Sequence, residues 1–348
     1  MTVTPCRILP EMLSEFMRDA LVRSGADAKE AGCVAENLIW NDLVDRRNHG
    51  CERLSILCTK VRSGAIRSPS RMRFTKLGSG AGSLDADDGF GQIAGQRAMA
   101  HAIDLAGTAG MGGVSVSGSN FFGTGAAFLV EATKADMIAL IMSNSFAKVA
   151  AHGGVAPVLG TNPIAFGAPR RDGRALLVDM STAGLAGSTL RAHRRQGLDL
   201  PTGLVIDKAG NQLTDPELAL NGTLLPAAGA KGFGLSLCVE ILAGVLSGSA
   251  MSKQIGSLYA NSSQPGNNGH FVLAFDIKHW MPLEAYYDRF DAMASMIASS
   301  SPDGSVRLPG EARWDALDRN SREGIEIEPE TARHLEELAA NLGMQTPW

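Results

Sequence analysis

The apolar positions of the first fifty residues keep a helical period. Leu13, Phe16, Met17 and Leu21 recur every three to four residues behind Pro10, which suits the first turn of a helix. Ser24 and Gly25 end that run. Asp27 followed by Glu30 has the form of a capping box, and Val34, Leu38 and Leu43 carry a second helix to about Arg47. Asn48 suits the N-cap of a third helix that holds Leu54, Cys58 and Val61. On this reading His49 stands in the first turn of the third helix and Arg53 one turn later, on the same face. From about Arg71 the period changes. Residues 112–116, 137–142, 175–180 and 270–275 read as strands, and 124–134, 231–246, 282–297 and 329–342 as helices. Leu235, Val239, Leu242 and Leu246 fall in line along the 231–246 helix. That stripe, with Met12 and Met17, is expected in the core. Helices interleaved with strands make an α/β protein. Residues 262–268 and 299–303 read as surface loops. No internal repeat and no low-complexity tract is present.

Composition narrows the picture. At roughly 100–200 residues per domain, 348 residues predict two domains. Hydrophobic residues at 45% and charged residues at 20% are an ordinary globular balance. A net charge of −4 argues against a nucleic-acid partner, which calls for a basic domain. The five cysteines, Cys6, Cys33, Cys51, Cys58 and Cys238, are odd in number, scattered and without a CxxC pair, which suits a reducing cytoplasm. The first ten residues lack the apolar core of a signal peptide. No run of about 18 apolar residues predicts a membrane helix. The 40 glycines are about 11% of the chain against a usual value of about 7%, an excess that suits tight turns around a bound cofactor.

The familiar chemical motifs are missing. Gly78-Ser79-Gly80 and Gly123-Thr124-Gly125 approach GxGxxG, but neither completes it or has an acidic partner about 20 residues later. There is no phosphate loop and no GxSxG nucleophile elbow. The seven histidines are dispersed, with neither HExxH nor a Cys/His cluster, so no metal is expected.

Five blocks, in order along nearly the whole chain, change that reading. They are DLVDRRNHGCERL (42–54), SGSNFFGTGAAF (117–128), LGTNPIAFGAPR (159–170), VDMSTAG (178–184) with GAKGFGLSLCVEILAGVLSG (229–248), and RLPGE (307–311). Together they resemble the malate/L-lactate dehydrogenase-like oxidoreductases, a family that also holds sulfolactate and ureidoglycolate dehydrogenases, diketogulonate reductase and cyclic-imine reductases. The resemblance implies a non-Rossmann sheet domain for the nicotinamide cofactor, at 119–273. A helical portion would be built from 1–118 with 274–348. It also implies a homodimer, NAD or NADP as cofactor, and a small-molecule carboxylate as substrate, with no nucleic-acid or membrane partner.

Reduction of C=O or C=N needs a hydride on one face and a proton for the heteroatom. Histidine titrates near neutrality and suits the proton role. His49 matches the family's histidine, where it is implicated as proton donor. A histidine alone at a helix start reads first as structural; the family block reverses that preference. Arg53 resembles the family's carboxylate arginine, whose planar fork binds an acid bidentately. Asn48, Asn120 and Phe121 are expected at the substrate. Gly123, Thr161, Asn162, Pro163, Asp179, Met180, Ser181, Thr182, Ala230, Lys231, Gly310 and Glu311 are expected at the cofactor. Each has a plainer structural reading beside it: a turn, a helix cap or a solvated lysine. The basic run Arg191, His193, Arg194 and Arg195 reads as a solvated face, or else as a partner for a 2′-phosphate.

Four departures stand out. Phe121 replaces a histidine that some relatives use as acid/base, Ala230 replaces the histidine of the Gly-His-Lys-Gly block, Asn48 replaces a serine, and Ser188 stands where a lysine is usual. Phe121 and Ala230 remove polarity from the expected cleft. They favour a bulkier, more apolar substrate such as a cyclic imino acid. The alternative is a nicotinamide-binding paralogue with impaired catalysis.

Overall fold

In the computed structural model, residues 6–259, 263–302 and 304–348 are described. Met1, Ser262 and Asp303, with the side chains of Cys6 and Ser188, lie outside them, so neither expected surface loop is described in full.

The helix Pro10–Arg23 buries Leu13, Phe16, Met17 and Leu21 as its period requires. Met12, one position off that stripe, is 44% exposed rather than in the core. Asp27 caps Ala28–Leu43 by accepting the N–H groups of Lys29 and Glu30. Glu30 does not complete the box. Its carboxylate instead accepts from the Ser68 hydroxyl and from the N–H and hydroxyl of Ser70.

The second helix stops at Leu43, short of Arg47, because Asp45 takes a left-handed φ of 56°. Two 3-10 turns follow, Arg47–His49 and Cys51–Arg53, before the helix Leu54–Arg62. Asn48 therefore does not cap the third helix, and His49 and Arg53 do not share it; Arg53 stands at the cap position. These helices pack with Pro329–Leu342, and Cys6–Ile8 pairs antiparallel with Ile325–Ile327. Leu13, Leu38, Leu54, Leu57 and Leu335 fill their common core.

The main sheet has seven strands, in the order Arg73–Lys76, Ala81–Asp85, Met111–Ser119, Asn268–Asp276, Met137–Ser143, Ile164–Ala168 and Leu176–Met180. Only Ala81–Asp85 and Met111–Ser119 run parallel, joined by the crossover helix Gly91–Ala109; every other adjacent pair is antiparallel. A dinucleotide fold of the Rossmann type needs a parallel sheet, so this sheet is of another kind. It draws strands from both sides of residues 118 and 273 and does not follow those divisions. A smaller four-stranded sheet (Val205–Ile206, Thr223–Leu224, Val149–Ala150 and Pro157–Leu159) shares a core with Leu190 of the helix Gly187–Gln196.

The helix Ala230–Glu240 runs on into a π-helical turn, Ile241–Val245. The expected leucine stripe is not its core face. Val239 is buried, but Leu235 and Leu246 are 41% and 59% exposed. Gly232, Ser236, Ala243 and Gly244 take the inner face. Their small size lets the helix lie so close that a Cβ on Gly269 would stand 1.6 Å from the Ala243 carbonyl oxygen. Leu235, Leu237 and Leu246 are turned outward, whereas Leu242 packs partly buried beside Val239.

His270 sits fully buried on the central strand. Its Nε2 is 2.8 Å from Ser119 Oγ, its Nδ1 2.9 Å from Ser143 Oγ, and its ring stacks 4.7 Å from Phe122. Burial pulls its pKa down to about 3. An unfolded histidine titrates near 6.5. From about pH 6.5 down to about 3 the unfolded chain therefore binds the extra proton, and stability is lost as pH falls. Urea midpoints between pH 7 and 4.5 should drop in the wild type. The drop should be smaller by about one proton's worth in His270→Gln, and an equal pH slope in both would refute the assignment.

Candidate active site

A cavity of about 840 Å³ opens between the 3-10 turns, the ends of the main sheet and the small sheet. Its first wall is Arg46, Asn48, His49 and Arg53. Asp42 fixes that wall from beneath. Fully buried at the end of the second helix, it accepts the Cys51 N–H at 2.8 Å. Gly50 lies directly over it, where a Cβ would meet Asp42 Oδ1 at 2.0 Å. Burial raises Asp42 to about 7 and holds the Cys51 thiol well above its ordinary value.

His49 Nδ1 is buried and has no hydrogen-bond partner among the described residues, and its ring stacks 5.8 Å from Phe121 at 20°. Burial first, then the charges of Arg53, Arg191, Arg313 and Arg46, push its pKa down to about 3. The imidazole is therefore neutral at physiological pH. Arg53 is 7% exposed. Its Nε donates to the Asn48 carbonyl at 2.6 Å and its Nη2 to Glu52 Oε1 at 3.1 Å. Tyr259 stacks against the guanidinium at 5.7 Å. Two bonds thus aim the fork, and among the described residues Nη1 bonds nothing.

The 120–124 loop forms the second wall. Asn120 lines the cavity, yet its amide is committed to the protein: Nδ2 donates to the Asp88 and Gly89 carbonyls, and Oδ1 accepts from the Gly266 N–H at 2.7 Å. Gly123 turns the chain with φ +91°. Thr161, Pro163, Asp179, Met180 and Ser181 form the third wall. Asp179 is nearly buried, with Oδ2 accepting the Ala126 N–H at 3.1 Å and facing Arg313 Nη2 at 3.4 Å. Desolvation raises its pKa against the opposing pull of Arg313. Arg313 Nη1 is buried without a partner among the described residues.

Other expected residues lie behind the walls. Asn162, fully buried, donates to Glu240 Oε2 at 2.8 Å and accepts the Ser145 N–H. The Thr182 hydroxyl donates to the carbonyls of Thr161 and Asn162. Ala230 and Lys231 are exposed at a helix start and do not line the cavity. Gly310, at φ +102°, caps Glu311–Glu323, the helix that delivers Arg313. Glu311 pairs with Arg170 at 3.0 Å. The basic run splits: Arg191 faces the cavity, whereas Arg194 and Arg195 pair with Glu217 and Glu328.

Sequence reasoning missed Arg46, Lys60, Lys148 and Arg313, which with Arg53 and Arg191 put six cations on the walls against one carboxylate, Asp179, among the described residues. The one signal available was Lys60, seven residues after Arg53 and so on the same helical stripe. Among the described residues no group of three or more His, Cys, Asp or Glu is placed to hold a metal ion. No helix there is long and apolar enough to cross a membrane.

Comparison with known proteins places this geometry. A malate/L-lactate dehydrogenase family model matches residues 8–336. Malate dehydrogenase of Pyrococcus horikoshii is 34% identical over 97% of this chain and 96% of its own. Its solved structure superposes with a TM-score of 0.89 at 31% identity, covering 98% of this chain and 97% of that one. A (2R)-3-sulfolactate dehydrogenase (NADP(+)) of Chromohalobacter salexigens is 33% identical over 92% of this chain and 93% of its own. A Delta(1)-pyrroline-2-carboxylate/Delta(1)-piperideine-2-carboxylate reductase of Pseudomonas aeruginosa is 31% identical over 88% of this chain and 90% of its own.

Proposed function

The chain belongs to the malate/L-lactate dehydrogenase family of oxidoreductases, and from that premise we propose an enzyme that interconverts a 2-oxo acid or a cyclic 2-imino carboxylate with its hydroxy or amino acid, using NAD or NADP. One observation carries the reading. An unbonded, neutral imidazole and a pre-aimed, partly unbonded guanidinium open into the same cation-lined cavity. The relatives named above act on malate, sulfolactate and cyclic-imine carboxylates, and each of these carries a carboxylate next to the reacting carbon.

Arg53 holds that carboxylate through Nη1 and the remaining Nη2 hydrogen, which places the reacting carbon near His49. In the oxidative direction neutral His49 takes the hydroxyl proton; in the reductive direction it returns it. A carboxylate seated on Arg53 cancels one of the charges that depress the imidazole's basicity, so substrate binding itself raises the affinity of His49 for a proton. The cavity suits a nicotinamide nucleotide. Its orphaned donor, Arg313 Nη1, fits a phosphate oxygen, Asp179 Oδ1 is left to accept a ribose hydroxyl, and Thr161, Pro163, Met180 and Ser181 form the adjoining wall. When bound, the nicotinamide supplies or accepts the hydride.

The outward stripe of Leu235, Leu237, Ile241, Val245 and Leu246 supports a homodimer that covers it. The free cysteines Cys33, Cys51, Cys58 and Cys238 support a reducing, cytoplasmic setting. The test is NADH and NADPH oxidation against pyruvate-like 2-oxo acids and five- and six-membered cyclic imines, on protein that sediments as a dimer. Turnover in one class is expected. Cofactor binding by fluorescence with no oxidation across the panel would establish the paralogue with impaired catalysis instead.

A further inference from the structure

The helix Ala230–Glu240 ends on a carboxylate that the proposed chemistry does not use. Glu240 is 8% exposed and lies behind the cavity wall. Its Oε2 accepts from Asn162 Nδ2 at 2.8 Å and its Oε1 accepts the Ser252 N–H at 2.7 Å. Asn162 Oδ1 in turn accepts the Ser145 N–H at 3.1 Å. A backbone N–H can only donate, so the two ends of this series fix every polarity within it. The amide must turn its oxygen to Ser145 and its nitrogen to Glu240, and Glu240 must accept on both oxygens. There is no slack. A Cβ on Gly160 would stand 2.5 Å from Asn162 Oδ1 and 2.2 Å from the Ser145 carbonyl oxygen.

Asn162 is fully buried, with a left-handed φ of 35°, between Thr161 and Pro163. Those two residues line the cavity on the wall that the proposed function gives to the nicotinamide nucleotide. Ser145 also lines the cavity, with Oγ 3.3 Å from Thr161 Oγ1, so the N–H that Asn162 holds belongs to the same wall. We infer that Glu240 is a positioning residue for that wall: through Asn162 it fixes Thr161, Pro163 and Ser145, and nicotinamide nucleotide affinity depends on it. This rests on the function proposed above. Ser252, at φ 53°, ties the same carboxylate to the turn beyond the π-helical segment, and its hydroxyl donates to the Val158 carbonyl at 2.6 Å. Glu240 thus joins helix, turn and wall at one point. A staple that serves stability alone is the competing account, and the test separates the two.

Nucleotide affinity is read by fluorescence titration with NADH and NADPH, alongside KM for cofactor and substrate and the thermal midpoint without cofactor. Glu240→Gln sets one NH₂ group against another, and Asn162→Asp sets one carboxylate against another. Each should weaken nucleotide binding about tenfold or more, the worth of one buried polar group left unpaired, and raise cofactor KM in step while substrate KM stays put. The double variant Asn162→Asp/Glu240→Gln inverts the series and satisfies every group in it, losing only the 3.3 Å bond from Asn162 Nδ2 to the Ser236 carbonyl. It should bind within about threefold of wild type, the mark of two residues acting as a pair. Glu30→Gln is the control, for that carboxylate is 7% exposed, accepts from Ser68 and Ser70 and does not line the cavity. It should lower the thermal midpoint and leave nucleotide affinity alone. The inference is overturned if Glu240→Gln behaves as Glu30→Gln does, or if the double variant binds no better than Asn162→Asp. Should the single variants not fold, Glu240→Asp replaces them, with both acceptors on a shorter stem. Weaker nucleotide binding there supports the inference, and a lower midpoint with unchanged binding overturns it. Wild type that binds neither nucleotide sinks the proposed function itself; wild type that binds, with Glu240→Gln binding equally, sinks this inference alone.

Discussion

Replacing Arg53 by methionine should lower kcat/KM for carboxylate substrates by two to three orders of magnitude and leave cofactor affinity nearly unchanged. Truncating one partner of a desolvated charge pair costs about 2–5 kcal/mol, which is about 30- to 4,000-fold. Arg53 meets the condition for the upper part of that range, being 7% exposed. Lysine should rescue little. Nε is already fixed to the Asn48 carbonyl and Nη2 to Glu52, so the free Nη1 is aimed by a rigid plane that an ammonium lacks. The same Nε bond also braces the turn that carries His49, so the loss has two separable origins. A neutral 2-oxo amide has no acid to pair. If its kcat survives in Arg53→Met, the turn has held and the loss is carboxylate binding. A fall of less than about tenfold for the acids would remove Arg53 as their anchor.

The 42–54 block could be read from the sequence because it is local. The 42–54 segment brings His49 and Arg53 to one cavity even though the helix expected to hold them is two 3-10 turns. Those turns depend on a left-handed Asp45 and on a carboxylate, Asp42, buried under Gly50; no hydrophobic period announces either. The longest helix, Gly91–Ala109, went unseen for a related reason. Its inner face is largely Ala94, Ala98, Ala102 and Ala106, apolar but small, and Gly95 lies where a Cβ would strike the Phe128 ring at 2.8 Å. The leucines after Lys231 show the converse. A stripe has the same spacing whether it faces a core or an outer surface, and only packing decides. Lys148 and Arg313 reach the cavity from elements far from the 42–54 block in the chain, which local pattern does not encode.

His49→Gln separates the two substrate classes. For a 2-oxo acid kcat should fall by about 10²- to 10⁴-fold, the usual worth of a positioned acid or base. Glutamine keeps a polar group at the site but exchanges no proton. Phe121, stacked on the imidazole, offers no second donor. A cyclic imine is already basic and takes its proton from solvent, so its turnover should fall by less than about tenfold. The pH dependence has a definite sign. With its pKa pushed down to about 3 by burial and four arginines, His49 is neutral well below pH 7. As the base of hydroxy-acid oxidation it stays available, so that rate should show no acid limb from His49 between pH 8 and 5. As the acid of 2-oxo acid reduction it is scarce, so that rate should climb as pH falls and the protonated fraction grows. Substrate on Arg53 moves the whole curve toward neutrality, which makes the kcat profile less steep than that of kcat/KM. Loss of the climb in His49→Gln ties it to this imidazole, whereas unchanged 2-oxo acid turnover would take His49 out of the chemistry.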